Sequence, residues 1–241
     1  MRVSDAVPSL PARLFAWGGA GIFCASLLYF LFSYAVTFGE IRPGRLTGGA
    51  ILADVALFSI FAVHHSVFAR TPVRAWMARL VPPYLERAAY VWIASALFIA
   101  VCAGWQYVQG VVWFVDGGWV WGLRALQVAG VVVTIRAAAM IDVFELAGTR
   151  QLETPVASPE PPVFKTTWPY GWVRHPIYAG WFLIVWPVPL MTMTRLVFAA
   201  ASTVYLLIAI PLEERSLRAT TGGAYDAYAR AVRWRIVPFV H

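Results

Sequence analysis

Arg174, His175 and Pro176 stand directly before an apolar run, and Glu213 and Glu214 close the run that follows it. Proline is favoured at the first position of a helix, so Pro176 marks a helix start. The amides of a first turn have no partner within the helix and present partial positive charge, which attracts anions. Arg174 adds a fixed positive charge beside them. Two adjacent carboxylates at the far end of the next run attract a cation or accept from hydroxyl groups. If the two runs form a helical hairpin, its feet share one membrane face, and Arg174, His175, Glu213 and Glu214 meet there. A ligand carrying a carboxylate, an ammonium and a ribose would find a partner for each.

Three further polar groups fall at the ends of apolar segments. They are His64-His65-Ser66 with Arg70 beyond it, Glu86-Arg87, and the stretch from Asp142 to Arg150 and Gln151. Ionisable side chains at membrane depth are costly and are site candidates by default. At segment ends water is near and the cost is smaller. Adjacent histidines on a helix point in different directions, so His64 and His65 do not form a shared metal site. Asp54, inside an apolar run, reads as a hydrogen bond within the bundle. Cys24 and Cys102 each sit alone in apolar sequence and read as small buried side chains. No metal is expected.

The elements that must position these groups are membrane helices. Hydrophobic residues make up 60% of the 241 and charged residues 13%, too apolar a balance for an ordinary soluble domain. A spanning helix takes about 20 mostly apolar residues. Spans are expected over about 14–38, 49–68, 88–108 and 119–141. The first exceeds the apolar core of a signal peptide and reads as a retained helix. Residues 150–170, rich in proline, read as a surface loop. Two shorter runs, 177–190 and 196–212, form the hairpin, and Trp186-Pro187-Val188-Pro189 ends or kinks its first arm. The fold class is therefore all-α: a polytopic transmembrane bundle of five to six spans with a C-terminal hairpin and cytosolic tail. Read as a single membrane domain, 1–148 is a four-helix scaffold, 149–170 a cytosolic loop and 171–241 the hairpin and tail.

Orientation follows from charge, because cytoplasmic segments carry excess Lys and Arg. With the N-terminus inside, fifteen of the 19 Lys and Arg residues lie on inner segments, and only Arg42, Arg45, Arg124 and Arg195 lie outside. Both termini are expected in the cytosol. The net charge of +7 then reflects juxtamembrane arginines rather than nucleic-acid binding. Trp17, Trp105, Trp113, Trp119, Trp121, Trp168 and Trp172 fall near span ends and read as an interfacial belt.

The segment from Arg174 through Tyr178 to Gly180, the hairpin, Glu213-Glu214, and Gly223 to Tyr228 with Val232 and Pro238 resembles the C-terminal module of the isoprenylcysteine carboxyl methyltransferase superfamily, which includes phospholipid methyltransferases. The resemblance implies S-adenosylmethionine bound at the cytosolic membrane face, with His175, Tyr178, Gly180, Glu213 and Glu214 holding it, and the charge of Arg174 beside the helix start adds that residue to the cofactor-binding set. His65-Ser66 through Arg70, Trp76, Val81-Pro82, Glu86-Arg87 with Tyr90, Ile141-Asp142 with Phe144, Arg150-Gln151, and Trp186 through Thr192 are similar to a narrower branch. That branch comprises the bacterial methanethiol S-methyltransferases and NnrU-type membrane proteins. The chain departs from it in Glu145-Leu146-Ala147-Gly148-Thr149, where a more apolar turn is usual.

These likenesses imply S-methylation of a small thiol, methanethiol giving dimethyl sulfide, in the inner membrane of a bacterium. The thiolate is the reactive form of such an acceptor. The base that makes it is sought among His64, His65 and Tyr178, with Arg150 or Arg70 stabilising the anion. Carboxyl methylation of a prenylated cysteine or a lipid-like acceptor is one alternative, and a non-enzymatic NnrU-type protein is another. Sterol reductases share an Arg-His-Pro segment, but the chain is short for that group.

Overall fold

In the computed structural model, residues 8–43, 48–68, 73, 79–152 and 164–239 are described. Arg70, Arg74, Trp76 and most of the proline-rich loop lie outside them. Among the described residues the order is α1 (Leu10–Ala35), a 3-10 turn (Thr37–Gly39), α2 (Gly48–Phe68), α3 (Pro83–Gly104), β1 (Val111–Phe114), α4 (Trp119–Ile141), α5 (Val143–Ala147), a 3-10 turn (Arg150–Leu152), α6 (Pro176–Val185), β2 (Leu190–Thr192), α7 (Met193–Thr221) and α8 (Gly223–Ala231). Five helical stretches are long and apolar enough to cross a membrane: Leu10–Gly39, Gly48–Phe68, Pro83–Gly104, Trp119–Ile141 and Met193–Thr221. Large apolar side chains such as Leu28, Ile60, Val128, Ile135 and Ile208 remain exposed along them, as lipid-facing residues must.

The chain groups into two compact units that interleave along the sequence. The first comprises Met1–Ser33, Ala56–Trp105 and Asp142–Pro159; the second comprises Tyr34–Val55, Gln106–Ile141 and Glu160–His241. In the first unit, α1 lies close against α3. A Cβ on Gly18 would come within 2.9 Å of the Trp92 ring, and the Trp92 indole donates to the Phe15 carbonyl at 2.8 Å. Phe30 and Phe61 pack on Phe98, with ring centroids 5.5 and 5.0 Å away. Asp142 caps the short α5 by accepting from the Phe144 and Glu145 amides. Gly148 then ends α5 with φ +79, and a Cβ there would stand 2.7 Å from the Ala88 amide nitrogen. Close backbone approach and a left-handed turn together require glycine, which accounts for Gly148 within the departing stretch.

In the second unit the hairpin takes a form that hydropathy does not show. Helix α6 has 10 residues, about 15 Å or half the hydrocarbon thickness. The chain continues through Trp186-Pro187-Val188-Pro189 into β2, at about 3.3 Å per residue. β2 pairs antiparallel with β1, with Val111 opposite Thr192 and Phe114 opposite Leu190. The turn of the hairpin therefore reaches the end of the unit that also carries the α3–α4 connection, with α6 followed by extended chain rather than by further helix. Irregular backbone is tolerated at this depth only where its polar groups are satisfied within protein. Here Val115 donates to the Pro189 carbonyl at 2.8 Å and Met193 to that of Gly110 at 2.9 Å, and the Trp113 indole donates to Val188 at 2.9 Å. Trp113 thus works inside the ribbon rather than in an interfacial belt. Trp105, in the first unit, is buried beside Phe58.

Buried Arg195 fixes the same end. Its guanidinium donates to the carbonyls of Tyr34, Ala35 and Leu190, a cation closing the C-terminus of α1 where carbonyls lack partners. Asp54 accepts from the Gln106 amide at 2.7 Å, the hydrogen bond expected of it.

The most extensive helix pairing is α4 against α6. A Cβ on Gly180 would lie 2.2 Å from the Thr134 hydroxyl and 2.7 Å from the Gly130 carbonyl, and one on Gly130 would lie 2.6 Å from the Gly180 carbonyl. Small residues at the crossing let two membrane helices approach backbone to backbone, the main means of helix association in lipid. Gly122 on the same helix has open space around it. Gly180→Val is expected to cost about 2–3 kcal/mol and to lower the thermal midpoint in detergent. Gly122→Ala does not lower the midpoint, and alanine's better helix propensity raises it slightly. Equal midpoints for both variants would contradict this packing.

Candidate active site

The α6–α7 hairpin brings Arg174, His175, Tyr178, Glu213 and Glu214 together at its open end, in the second unit. The buried centre is the Glu214 carboxylate, fully removed from solvent. Arg174 Nε lies 2.9 Å and His175 Nε2 3.3 Å from Oε1. Arg235 Nε lies 3.4 Å from the same oxygen, and Arg218 lies 3.4 Å from Oε2. A carboxylate out of water costs several kcal/mol unless its lone pairs are filled. Here three guanidinium groups and an imidazole fill them. Arg218 could be read from sequence, one helical turn beyond Glu214. Arg235 carries no local signal, because it arrives with the tail.

Glu213, one residue earlier on α7, points the other way. Its side chain is 45% exposed, accepts from the Tyr178 hydroxyl at 2.7 Å and lies 3.7 Å from His175 Nδ1. The His175 imidazole therefore faces a carboxylate oxygen on each side, and its ring stacks on Tyr178 at 5.4 Å and 4°. The doublet divides the work: Glu214 is saturated and internal, whereas Glu213, Tyr178 and one edge of His175 form the open face. Gly180 stands on α6 at the α4 crossing.

The tail closes over this foot as a strap. Arg174 and His175 donate their backbone amides to the carbonyls of Trp234 and Arg235, at 2.8 and 2.9 Å. The Arg174 guanidinium also binds the Val232 and Arg233 carbonyls, at 3.0 and 2.8 Å. Behind the strap, Tyr225, Tyr228 and Val232 form an apolar cluster with Phe164 and Leu217, and the Tyr228 hydroxyl donates to Tyr170 at 2.8 Å. Burial pushes the Tyr228 phenol up to about 12. Tyr225 is raised by burial and then by the Glu214 charge beside it. Both phenols therefore stay neutral and act as packing rather than as acids. The backbone amides of Arg174 and His175, just ahead of the first turn of α6, are thus committed to the strap.

His64, His65 and Arg150 belong to the first unit. There Tyr90 organises the two histidines: its hydroxyl is 2.8 Å from His65 Nδ1, and its ring stacks on His64 at 5.6 Å and 12°. Phe68 covers His64 at 4.5 Å, and the Arg87 guanidinium lies 5.0 Å over the Tyr90 ring. His64 is buried, and neither of its ring nitrogens has a hydrogen-bond partner. Arg150 pairs with Asp142 at 3.2 Å. The central position of Tyr90 could be read only from the resemblance. Among the described residues, no group of three or more His, Cys, Asp or Glu side chains is placed to hold a metal ion.

Comparison with known proteins settles the family. The chain is 38% identical to a methanethiol S-methyltransferase of Crocosphaera subtropica, over 91% of each protein. It is 36% identical to one of Mycobacterium tuberculosis, over 90% of this chain and 94% of that one. This chain belongs to the methanethiol S-methyltransferase family. A more distant likeness, 28% identity over 68% of this chain and 67% of the relative, is to nurim of Sus scrofa. No family model and no solved structure matches. The chain is accordingly an integral membrane methyltransferase, and its reaction requires a methyl donor.

The Glu214 cluster predicts a large asymmetry within the doublet. Glu214→Gln leaves three arginines around a neutral amide and is expected to cost about 3 kcal/mol, the range for breaking a buried ion pair. Glu213→Gln changes an exposed carboxylate and is expected to cost under about 1 kcal/mol. Unfolding of the purified variants in detergent checks both. A Glu214→Gln protein as stable as the parent would refute the role given to that carboxylate.

Proposed function

We propose that the chain transfers a methyl group from S-adenosylmethionine to the sulfur of a small thiol, methanethiol, releasing dimethyl sulfide. The single observation that carries this reading is the open face of His175, Tyr178 and Glu213 on the hairpin foot of a chain 38% identical to a methanethiol S-methyltransferase. The chemistry of these groups fits the donor. Glu213 retains lone pairs for a hydroxyl or an ammonium, the stacked His175–Tyr178 pair offers an aromatic edge, and Arg174 adds positive charge beside a helix start. Glu214 holds Arg174 and His175 in position rather than touching the ligand, and Gly180 acts through the α4–α6 crossing. S-adenosylmethionine, when bound, supplies an electrophilic methyl carbon.

The chain's own contribution is to bind and to exclude water, and the thiolate is the reactive form of the acceptor. Of the three groups considered as base, Tyr178 stands on this open face, hydrogen-bonded to Glu213; His64, His65 and Arg150 belong to the first unit. The excess of basic residues on one set of connections supports both termini and the donor site facing the cytosol of a bacterial inner membrane.

The test is incubation of membranes containing the protein with radiolabelled S-adenosylmethionine and either methanethiol or a farnesyl-cysteine analogue. Label is expected in a volatile product with methanethiol alone. Transfer to the prenylated analogue would replace the acceptor. Absence of calorimetric binding of S-adenosylhomocysteine would replace the reading with a non-enzymatic one.

A further inference from the structure

The strap and helix α8 carry more positive charge than the site uses. Arg174, Arg218 and Arg235 are engaged by Glu214, and Arg218 also by Asp226 at 3.0 Å. Arg215, Arg230 and Arg233 are exposed, and among the described residues no carboxylate pairs with them. The exposed acids nearby are taken, Glu213 by Tyr178 and Asp226 by Arg218. Three such guanidinium groups thus lie between the end of α7 and the strap.

Their depth follows from the hairpin. Helix α7 has 29 residues, about 43 Å, against a hydrocarbon core of about 30 Å. Its polar end, which begins at Glu213 and includes Arg215, therefore emerges into the headgroup layer. The backbone bonds from Arg174 and His175 to Trp234 and Arg235 hold the strap at the level where α6 enters the membrane. Large aromatics are exposed at that level too: Trp172 at 65% and Phe239 at 85%, with Phe239 against Trp234 at 5.5 Å. Arginines interleaved with exposed Trp and Phe suit the boundary between headgroups and acyl chains.

We propose that Arg215, Arg230 and Arg233 bind anionic lipid headgroups of the surrounding leaflet, and that this contact holds the strap down on the hairpin foot. The coupling is direct: Arg174 grips the Val232 and Arg233 carbonyls with the same guanidinium that binds Glu214. Headgroups on the Arg233 side chain steady the carbonyls that fix Arg174. The effect on donor affinity rests on the reading given under Proposed function, whereas the lipid contact does not.

The experiment places the full-length protein in nanodiscs of phosphatidylcholine alone or with about one-third phosphatidylglycerol, and follows amide hydrogen exchange of the peptide covering 223–239. Each basic residue near an anionic surface contributes about a factor of five in binding. Exchange is therefore expected to slow at least about tenfold in the anionic discs. The slowing is expected to vanish at about 1 M salt, where charges are screened within about 3 Å, and in the triple variant R215Q/R230Q/R233Q. Equal exchange in the two discs would overturn the proposal, as would protection that survives in the triple variant. Equal protection by 10 mM inorganic phosphate in neutral discs would also overturn it, because the partner would then be a soluble anion. A misfolded variant is recognised by altered exchange in α6, and the salt reversal on the parent protein then decides. Calorimetry with S-adenosylhomocysteine completes the test: tighter binding in anionic discs for the parent alone supports the coupling. Slowed exchange without a change in affinity keeps the lipid contact and discards the coupling.

Discussion

The architecture of the hairpin unit depends on one buried carboxylate. Glu214 sits on α7, Arg174 and His175 on the approach to α6, and Arg235 on the tail. Without a shared anion these three segments would bring like charges into a place with little water. A carboxylate out of solvent is tolerated only when every lone pair finds a donor, and the cations around it are tolerated only because it is ionised. The dependence is mutual, so α6, α7 and the strap are ordered together. The stacked His175–Tyr178 pair and the exposed Glu213 inherit their positions from that arrangement.

The same unit solves a second problem, how to hold in an apolar setting a helix half the length of a span. Two prolines end α6 early. The chain then runs extended, which leaves backbone donors and acceptors that lipid cannot satisfy. Pairing β2 with β1 answers much of that need, the Trp113 indole binds the Val188 carbonyl, and the Arg195 guanidinium binds that of Leu190 together with two at the end of α1. The Gly130–Gly180 contact sets α6 hard against α4. A short helix has less surface to hold it in place, and close backbone approach offsets that loss through dispersion, not through a hydrophobic effect that lipid does not provide.

Much of this could be read from residue order alone. The four long spans before the loop stand within a few residues of their expected bounds, because 20-residue apolar runs leave few alternatives. Pro176 marks a helix start, and the two feet of the hairpin meet. Three things were not legible. Helix α7 runs nine residues past the apolar run that announces it, since Glu213 through Thr221 are polar but strongly helical in context. The ribbon is invisible because strands of four and three residues inside apolar sequence look like any other apolar stretch. The roles of Arg195 and Arg235 depend on contacts with residues far along the chain, which no periodicity encodes.

The adjacent glutamates show most clearly where sequence reading stops. As a pair, Glu213 and Glu214 suggest one acidic site. On a helix, neighbouring side chains diverge by about 100°, so two adjacent carboxylates cannot both face inward. One must be internal and one open. Which is which follows from partners: an internal carboxylate needs cations from several segments, and only position 214 has Arg218 one turn later on its own face. The open carboxylate is then Glu213, free of that ring and held lightly by a tyrosine hydroxyl. A methyl donor with hydroxyl and ammonium groups has use for an acceptor of that second kind, whereas a carboxylate saturated by arginines has nothing left to offer it.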